Sequence, residues 1–168
     1  MPFEVDTNTV AEFSVLNPIT GEYITYDLVE ELATNENTLQ ADMEQQAAKY
    51  AQWSNYLVVA ERAVRAAKDN LDVVLAQSEN SIRAQYNSTG VKATASQITA
   101  NVNVDPTVVE AKNKLTEMLG YESALKYILK ALDHRKDMLV NLSAQRRKAM
   151  ELTGVPQRGW HQKLLMIQ

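Results

Sequence analysis

The chain has 168 residues, no Cys, five Gly and four Pro, and is 45% hydrophobic but only 7% aromatic. This composition excludes disulfides and thiolate metal sites, and it favours an aliphatic helical core over a turn-rich β fold. The formal net charge of −4 hides a segregation: residues 1–48 hold ten acidic and no basic residues, whereas residues 49–168 hold seventeen basic and eleven acidic ones.

Residues 1–26 stand apart from the rest. Val5, Phe13, Val15, Leu16, Tyr23, Ile24 and Tyr26 flank Asn17-Pro18-Ile19-Thr20-Gly21. Pro and Gly three apart mark a turn, and Glu22 to Tyr26 has β-like content, so a short hairpin or an extended arm is expected. Asp27 followed by Glu30 has capping-box spacing and opens a short helix through about Ala33. Thr34-Asn35-Glu36-Asn37 then breaks it.

Thr38 to roughly Tyr86 contains neither Pro nor Gly and is rich in Ala, Leu, Val and Gln. One uninterrupted helix is predicted there, rising roughly 75 Å at 1.5 Å per residue. Met43, Tyr50, Leu57, Val64 and Leu71 recur every seven residues. A second row runs through Ala47, Trp53, Ala60, Ala67 and Val74. Two such rows form a coiled-coil seam, which serves either a hairpin partner in the same chain or copies of the chain. Small Ala60, Ala63, Ala66 and Ala67 allow close backbone approach. Beyond Val74 the stripe drifts to Leu75, Ile82 and Tyr86, a change of register.

Asn87-Ser88-Thr89-Gly90 ends the long helix. Thr94 and Gln97 repeat the capping-box spacing, so Ala95 to about Val102 forms a short helix. Asp105-Pro106 is an N-cap followed by Pro at the first helical position. From there Val109, Lys112, Leu115, Leu119, Glu122, Leu125, Leu129, Leu132, Lys136, Leu139 and Leu142 step by three or four. A bend is expected at Gly120 and an end near Leu152, before Gly154 and Pro156. The apolar residues of 155–168 (Trp160, Leu164, Leu165, Met166, Ile167) are unusual for a tail and imply docking on the chain itself or on a partner. The expected fold is therefore all-α, with long helical hairpin or coiled-coil arms and a short β or extended N-terminal segment, assembling as an oligomer. Three regions follow: an acidic arm (1–35), a helical domain (36–154) and an apolar, basic tail (155–168). Met43, Tyr50, Trp53, Leu57, Val64, Trp160, Leu164, Leu165 and Ile167 are the candidate oligomer contacts.

The chain carries no sequence signature of an enzyme. Its glycines are isolated, no Gly-x-Ser-x-Gly elbow exists, and His134 and His161 lie in different elements. Asp133-His134-Arg135-Lys136-Asp137 places two carboxylates one turn apart, but Arg135 and Lys136 offer simple ion pairing there. No metal and no cofactor is expected. No apolar run approaches membrane-spanning length, and no basic and apolar leader pattern is seen, so neither a membrane partner nor secretion is expected.

The basic residues carry more information. Arg62, Arg65 and Lys68 lie on the long helix off the Leu57/Val64/Leu71 seam. Arg83 follows near its end, with Tyr86 three residues on and Lys92 in the loop. Such residues neutralise phosphates, and an interleaved aromatic gives a base a stacking face. Solvated ion pairing, as of Arg83 with Glu79, is the plainer account of the same charges. Arg146-Arg147-Lys148 closes the last helix, where the helix dipole alone favours cations.

Tyr50-x-x-Trp53 heads a long Ala-rich, basic helix that ends in Arg83-Ala84-Gln85-Tyr86. Ser96-Gln97-Ile98, Val102, Asp105 and Leu115 follow, then Ala131-Leu132-x-x-Arg135 and Leu139. Over roughly residues 39–150 this order resembles the bacteriophage recombination mediator family of the UvsY type. The resemblance implies a non-enzymatic protein in the cytoplasm of an infected bacterial host. It would bind single-stranded DNA as a ring-like homo-oligomer, loosen single-stranded-DNA-binding protein and load a RecA-like recombinase. The family's DNA-contacting motif falls on Arg83-Ala84-Gln85-Tyr86. This chain departs from it at Gln85, where a second basic residue is expected, and by about one extra heptad after Trp53. Two other classes fit a helical oligomer: a DNA-packaging adaptor resembling small terminases, which would prefer duplex DNA, and a structural coiled-coil assembly protein.

Overall fold

The computed structural model describes residues 12–16 and 21–152, and helices take up 82% of them. Strands β1 (Glu12–Leu16) and β2 (Tyr23–Asp27) pair in a two-stranded sheet. Their connection is too short for a parallel crossover, so they form a hairpin, the first of the two forms expected for this segment. The Ser14 and Thr25 hydroxyls are joined by a 2.7 Å hydrogen bond. Gly21 has φ +73°, a region that residues with a Cβ avoid.

Helix α1 (Leu28–Leu32) starts where the Asp27 carboxylate accepts hydrogen bonds from the Val29 and Glu30 amides, at 2.8 and 3.2 Å. Helix α2 (Leu39–Ser88) runs for 50 residues, α3 covers Ala95–Val104, and α4 (Pro106–Leu152) runs for 47 residues. The capping box predicted for α3 is complete, with Thr94 and Gln97 bonded reciprocally. Asp105 caps α4 through the Thr107 amide at 2.9 Å. Gly120, where a bend is expected, does not interrupt α4, which stays helical through it. A lone glycine costs a helix about 1 kcal/mol, which packing of the flanking turns outweighs.

The described chain divides into two compact units, and both long helices pass through each. Of the described residues, the first unit holds 12–13, Tyr26–Tyr50 and 131–152; the second holds 14–16, 21–25 and Ala51–Lys130. On α2 the buried positions Leu39, Gln46, Trp53 and Ala60 recur every seven residues. The expected second row thus holds at Trp53 and Ala60, but Gln46 replaces Ala47, because strict sevens from Trp53 lead back to Gln46. Met43 and Tyr50 of the first row stay exposed, at 40% and 38%, while Leu57 and Val64 are half-buried. On α4 the expected positions Leu125, Leu129, Leu132 and Leu139 are buried, but Val108 takes the inside place expected of Val109.

In the first unit Leu39, Leu132 and Leu139 are buried around a polar group. Arg135, expected to pair with the aspartates beside it in sequence, turns inward instead and is 3% exposed. Its Nη2 donates to Asp42 at 2.7 Å, its Nη1 to the Gln46 side-chain oxygen at 2.5 Å, and its Nε to the Ala33 carbonyl at 3.0 Å. Gln46 in turn donates to the Leu132 carbonyl at 2.8 Å. Lys136, by contrast, stays outside near Asp133 and Asp137, at 4.0 and 3.5 Å. Burial alone would raise the Asp42 carboxyl, but the Thr38 hydroxyl and the Arg135 charge outweigh it and hold its pKa below the ordinary value.

In the second unit Trp53 and Tyr56 meet edge to face, with centroids 5.7 Å apart. Ala60, Leu125, Ile128 and Leu129 are buried, as is Val15 of β1. Tyr121 is hydrogen-bonded to the Leu16 backbone, and burial is the chief cause that pushes its phenol upward. Ile98, Val102 and Val108 form an apolar cluster, packed by Val74, Leu75, Ile82 and Ala93. The register drift predicted beyond Val74 is thus how α2 meets α3.

Candidate nucleic-acid interface

Local backbone chemistry shapes the end of α2. Gly90 has φ +71°, its amide donates to Asn87 O, and the Val91 amide donates to Tyr86 O. These two bonds close a Schellman motif, which needs a left-handed residue and so selects glycine. Loop 91–93 then turns back into the Thr94 cap, and Ile98 anchors α3 in the apolar cluster. The Ser78 hydroxyl donates to the Asp105 carboxylate, pinning α2 to the α3–α4 corner. That bond, and then those from Thr107, hold the Asp105 pKa below the ordinary carboxylate value.

This closure leaves an open depression of about 380 Å³ lined by Arg83, Tyr86, Asn87, Gly90, Val91, Lys92, Ala93 and Ile98. Tyr86 is half-buried, and its hydroxyl accepts a 3.1 Å hydrogen bond from Asn101, which fixes the ring. Arg83 is paired with Glu79 through Nε and Nη2, at 2.9 and 2.6 Å, with both side chains about half exposed (53% and 47%). The plainer account of Arg83 is therefore met in the structure. A pair this exposed is worth at most about 1 kcal/mol, however, so a phosphate competes for the guanidinium at little cost. Lys92 is exposed and has no hydrogen bond or ion pair among the described residues.

The depression thus brings Arg83, Tyr86 and Lys92 together. It does not include Arg62, Arg65 or Lys68, which are exposed farther back on α2. Arg65 donates to the Glu61 carbonyl of its own helix at 3.3 Å. Arg65 lies about five turns, roughly 27 Å, before Arg83 on the same helix face, and Lys68 stands likewise to Tyr86. Asp72 and Glu79 fall on that same face between them, so the basic residues form two separate groups and not one row or cluster. Arg146, Arg147 and Lys148 are exposed near the end of α4, and Arg146 borders a separate depression with Glu36 and Leu142.

Among the candidate oligomer contacts, Trp53 needs correction. It is 1% exposed within the single chain, because the α2 row it belongs to is the one turned inward. Met43 and Tyr50 keep accessible surface, and Leu57 and Val64 keep part of theirs. Trp160, Leu164, Leu165 and Ile167 lie outside the described residues. Sequence patterns miss Asn101 as the partner of Tyr86 and Gly90 as part of the lining of the depression. Of these two, only Gly90 leaves a mark in the sequence, as a helix stop signal. Among the described residues no three His, Asp or Glu converge as metal ligands, and no helix is long and apolar enough to cross a membrane.

Compared with protein-family models, curated proteins and solved structures, the chain matches none. The class its fold defines is an all-α protein with a short N-terminal hairpin.

Proposed function

We propose that the chain is a non-enzymatic recombination mediator resembling the phage UvsY type. It binds single-stranded DNA as a homo-oligomer and helps load a RecA-like recombinase onto DNA covered by single-stranded-DNA-binding protein. The observation that carries this reading is the Tyr86 ring, held by Asn101 in an open depression beside Arg83 and Lys92. An aromatic face among cations suits an unpaired base and its phosphate, whereas a stacked duplex hides its base faces. The order of motifs over residues 39–150 supports the same reading. The exposed or half-covered row Met43, Tyr50, Leu57 and Val64 supports self-association through α2.

Fluorescence titration with matched single- and double-stranded oligonucleotides, at two salt concentrations, tests the proposal. Preference for the single strand with a steep salt dependence is expected. Preference for duplex would transfer the chain to the packaging-adaptor class. Absence of binding to either would leave a structural assembly protein.

A further inference from the structure

Helix α1 is too short to stand alone. It has five residues, none of them buried, and isolated helices under about 12 residues are marginal in water. Its N-terminal end is capped by Asp27. Its C-terminal end is held by cations from two other helices. Lys49 of α2 pairs with the Glu31 carboxylate at 3.0 Å and donates to the Glu31 carbonyl at 3.4 Å. Arg135 of α4 donates to the Ala33 carbonyl at 3.0 Å. Carbonyls at a helix end lack partners within the helix, and cations satisfy both their hydrogen bonding and the dipole.

The attachment of this segment combines these polar ties with two leucines, Leu28 and Leu32, that are only half-buried, while α2 and α4 of the same unit bury Leu39, Leu132 and Leu139. We propose that residues 28–38 form a strap that opens and closes on the first unit independently of its two long helices, with Arg135 as the latch. Arg135 suits that role because Asp42 and Gln46 hold its guanidinium in place when Ala33 leaves. Opening releases Glu31 from Lys49 beside the already exposed Glu30 and Glu36, in a stretch that contains no Lys or Arg.

Hydrogen exchange with peptide-level mass spectrometry tests this on the full chain. Amides of 28–38 are expected to exchange faster than those of 131–139 in the wild type. Arg135→Met removes the latch while keeping an unbranched apolar stem. The lost bond to Ala33 should raise strap exchange by roughly ten- to a hundredfold, while 131–139, though weakened by the loss of the Asp42 pair, still exchanges more slowly than the strap. Lys49→Met removes the outer clamp and should raise strap exchange by roughly two- to fivefold. The proposal is overturned if wild-type strap amides exchange in step with 131–139, or if neither variant changes strap exchange. It is also overturned if Arg135→Met abolishes the difference in exchange between the two segments or fails to fold, since the strap would then have no opening of its own.

Discussion

The two units solve the same packing problem with opposite chemistry. The first buries a guanidinium, an amide and part of a carboxylate between its helices, each hydrogen-bonded, and no buried side-chain polar atom among the described residues lacks a partner. The second buries Ile98, Val102 and Val108 in an apolar cluster and, farther back on α2, a Trp–Tyr pair. Apolar contacts are non-directional and tolerate small shifts of one helix along another. The Arg135 group does not, because three acceptors must meet one planar fork. Register in the first unit is therefore set by geometry, and in the second chiefly by volume, with the Ser78–Asp105 bond as a directional tie.

That contrast breaks most visibly at Arg135. Arg135→Ala leaves Asp42 and Gln46 without their partner and opens a cavity, so a loss of about 3–5 kcal/mol is expected. Urea denaturation followed by circular dichroism measures it. Ile98→Ala removes apolar volume only, from a cluster whose rim is partly exposed, and should cost about 2 kcal/mol, the low end for such a truncation. If the two losses are equal, the polar group carries no special share.

Acid sharpens the same comparison. Asp42 and Asp105 both have native pKa values below the ordinary carboxylate value. A carboxyl depressed on folding contributes stability that is full above its unfolded pKa and is lost as pH falls through its native one. Both units should therefore weaken below about pH 4. Asp42→Asn should remove that pH dependence from exchange of the first unit while leaving the second unit's own loss in place. An unchanged acid profile in Asp42→Asn would show that the Asp42 pKa is not lowered on folding.

What the sequence discloses follows the same division between local and distant causes. The caps at Asp27, Thr94 and Asp105 are legible because each is decided within three residues. The long helices are legible from their lack of breakers, whereas Pro18 and Gly21 leave a hairpin and an extended arm both open. Arg135 is not, because its acceptors Asp42 and Ala33 stand 93 and 102 residues away and local spacing offers Asp133 and Asp137 instead. Periodicity puts Trp53 on the right seam but with the wrong partner, since it shows that a row is covered without showing by what. The Arg83–Tyr86 pair can be read from spacing, while Asn101, which orients Tyr86, comes from the next helix.

A smaller effect tests how the interface is positioned. Thr94→Ala removes the capping box that turns loop 91–93 into α3, and should cost about 1 kcal/mol. The loss should fall on the second unit, with exchange of α3 rising and that of 131–139 unchanged.

The smallest effect on stability is expected at Arg83, and it decides the most about function. Its pair with Glu79 is half exposed, so Arg83→Ala should change stability by no more than about 0.5 kcal/mol. Binding should respond differently. Each phosphate that is no longer neutralised lowers the slope of log affinity against log salt by roughly one unit. In an oligomer the deficit repeats in every subunit along the strand, so affinity should fall further than one missing cation predicts. Lys92→Ala should act in the same direction, and Tyr86→Phe should keep most stacking while removing the Asn101 bond. The slopes are to be measured for wild type and Arg83→Ala after both give the same mass in light scattering. A monomeric mass for the wild type at micromolar concentration would itself remove the avidity argument. Equal slopes and affinities at equal mass would take Arg83 out of the interface and move the search to Arg146, Arg147 and Lys148, the exposed cations near the end of α4.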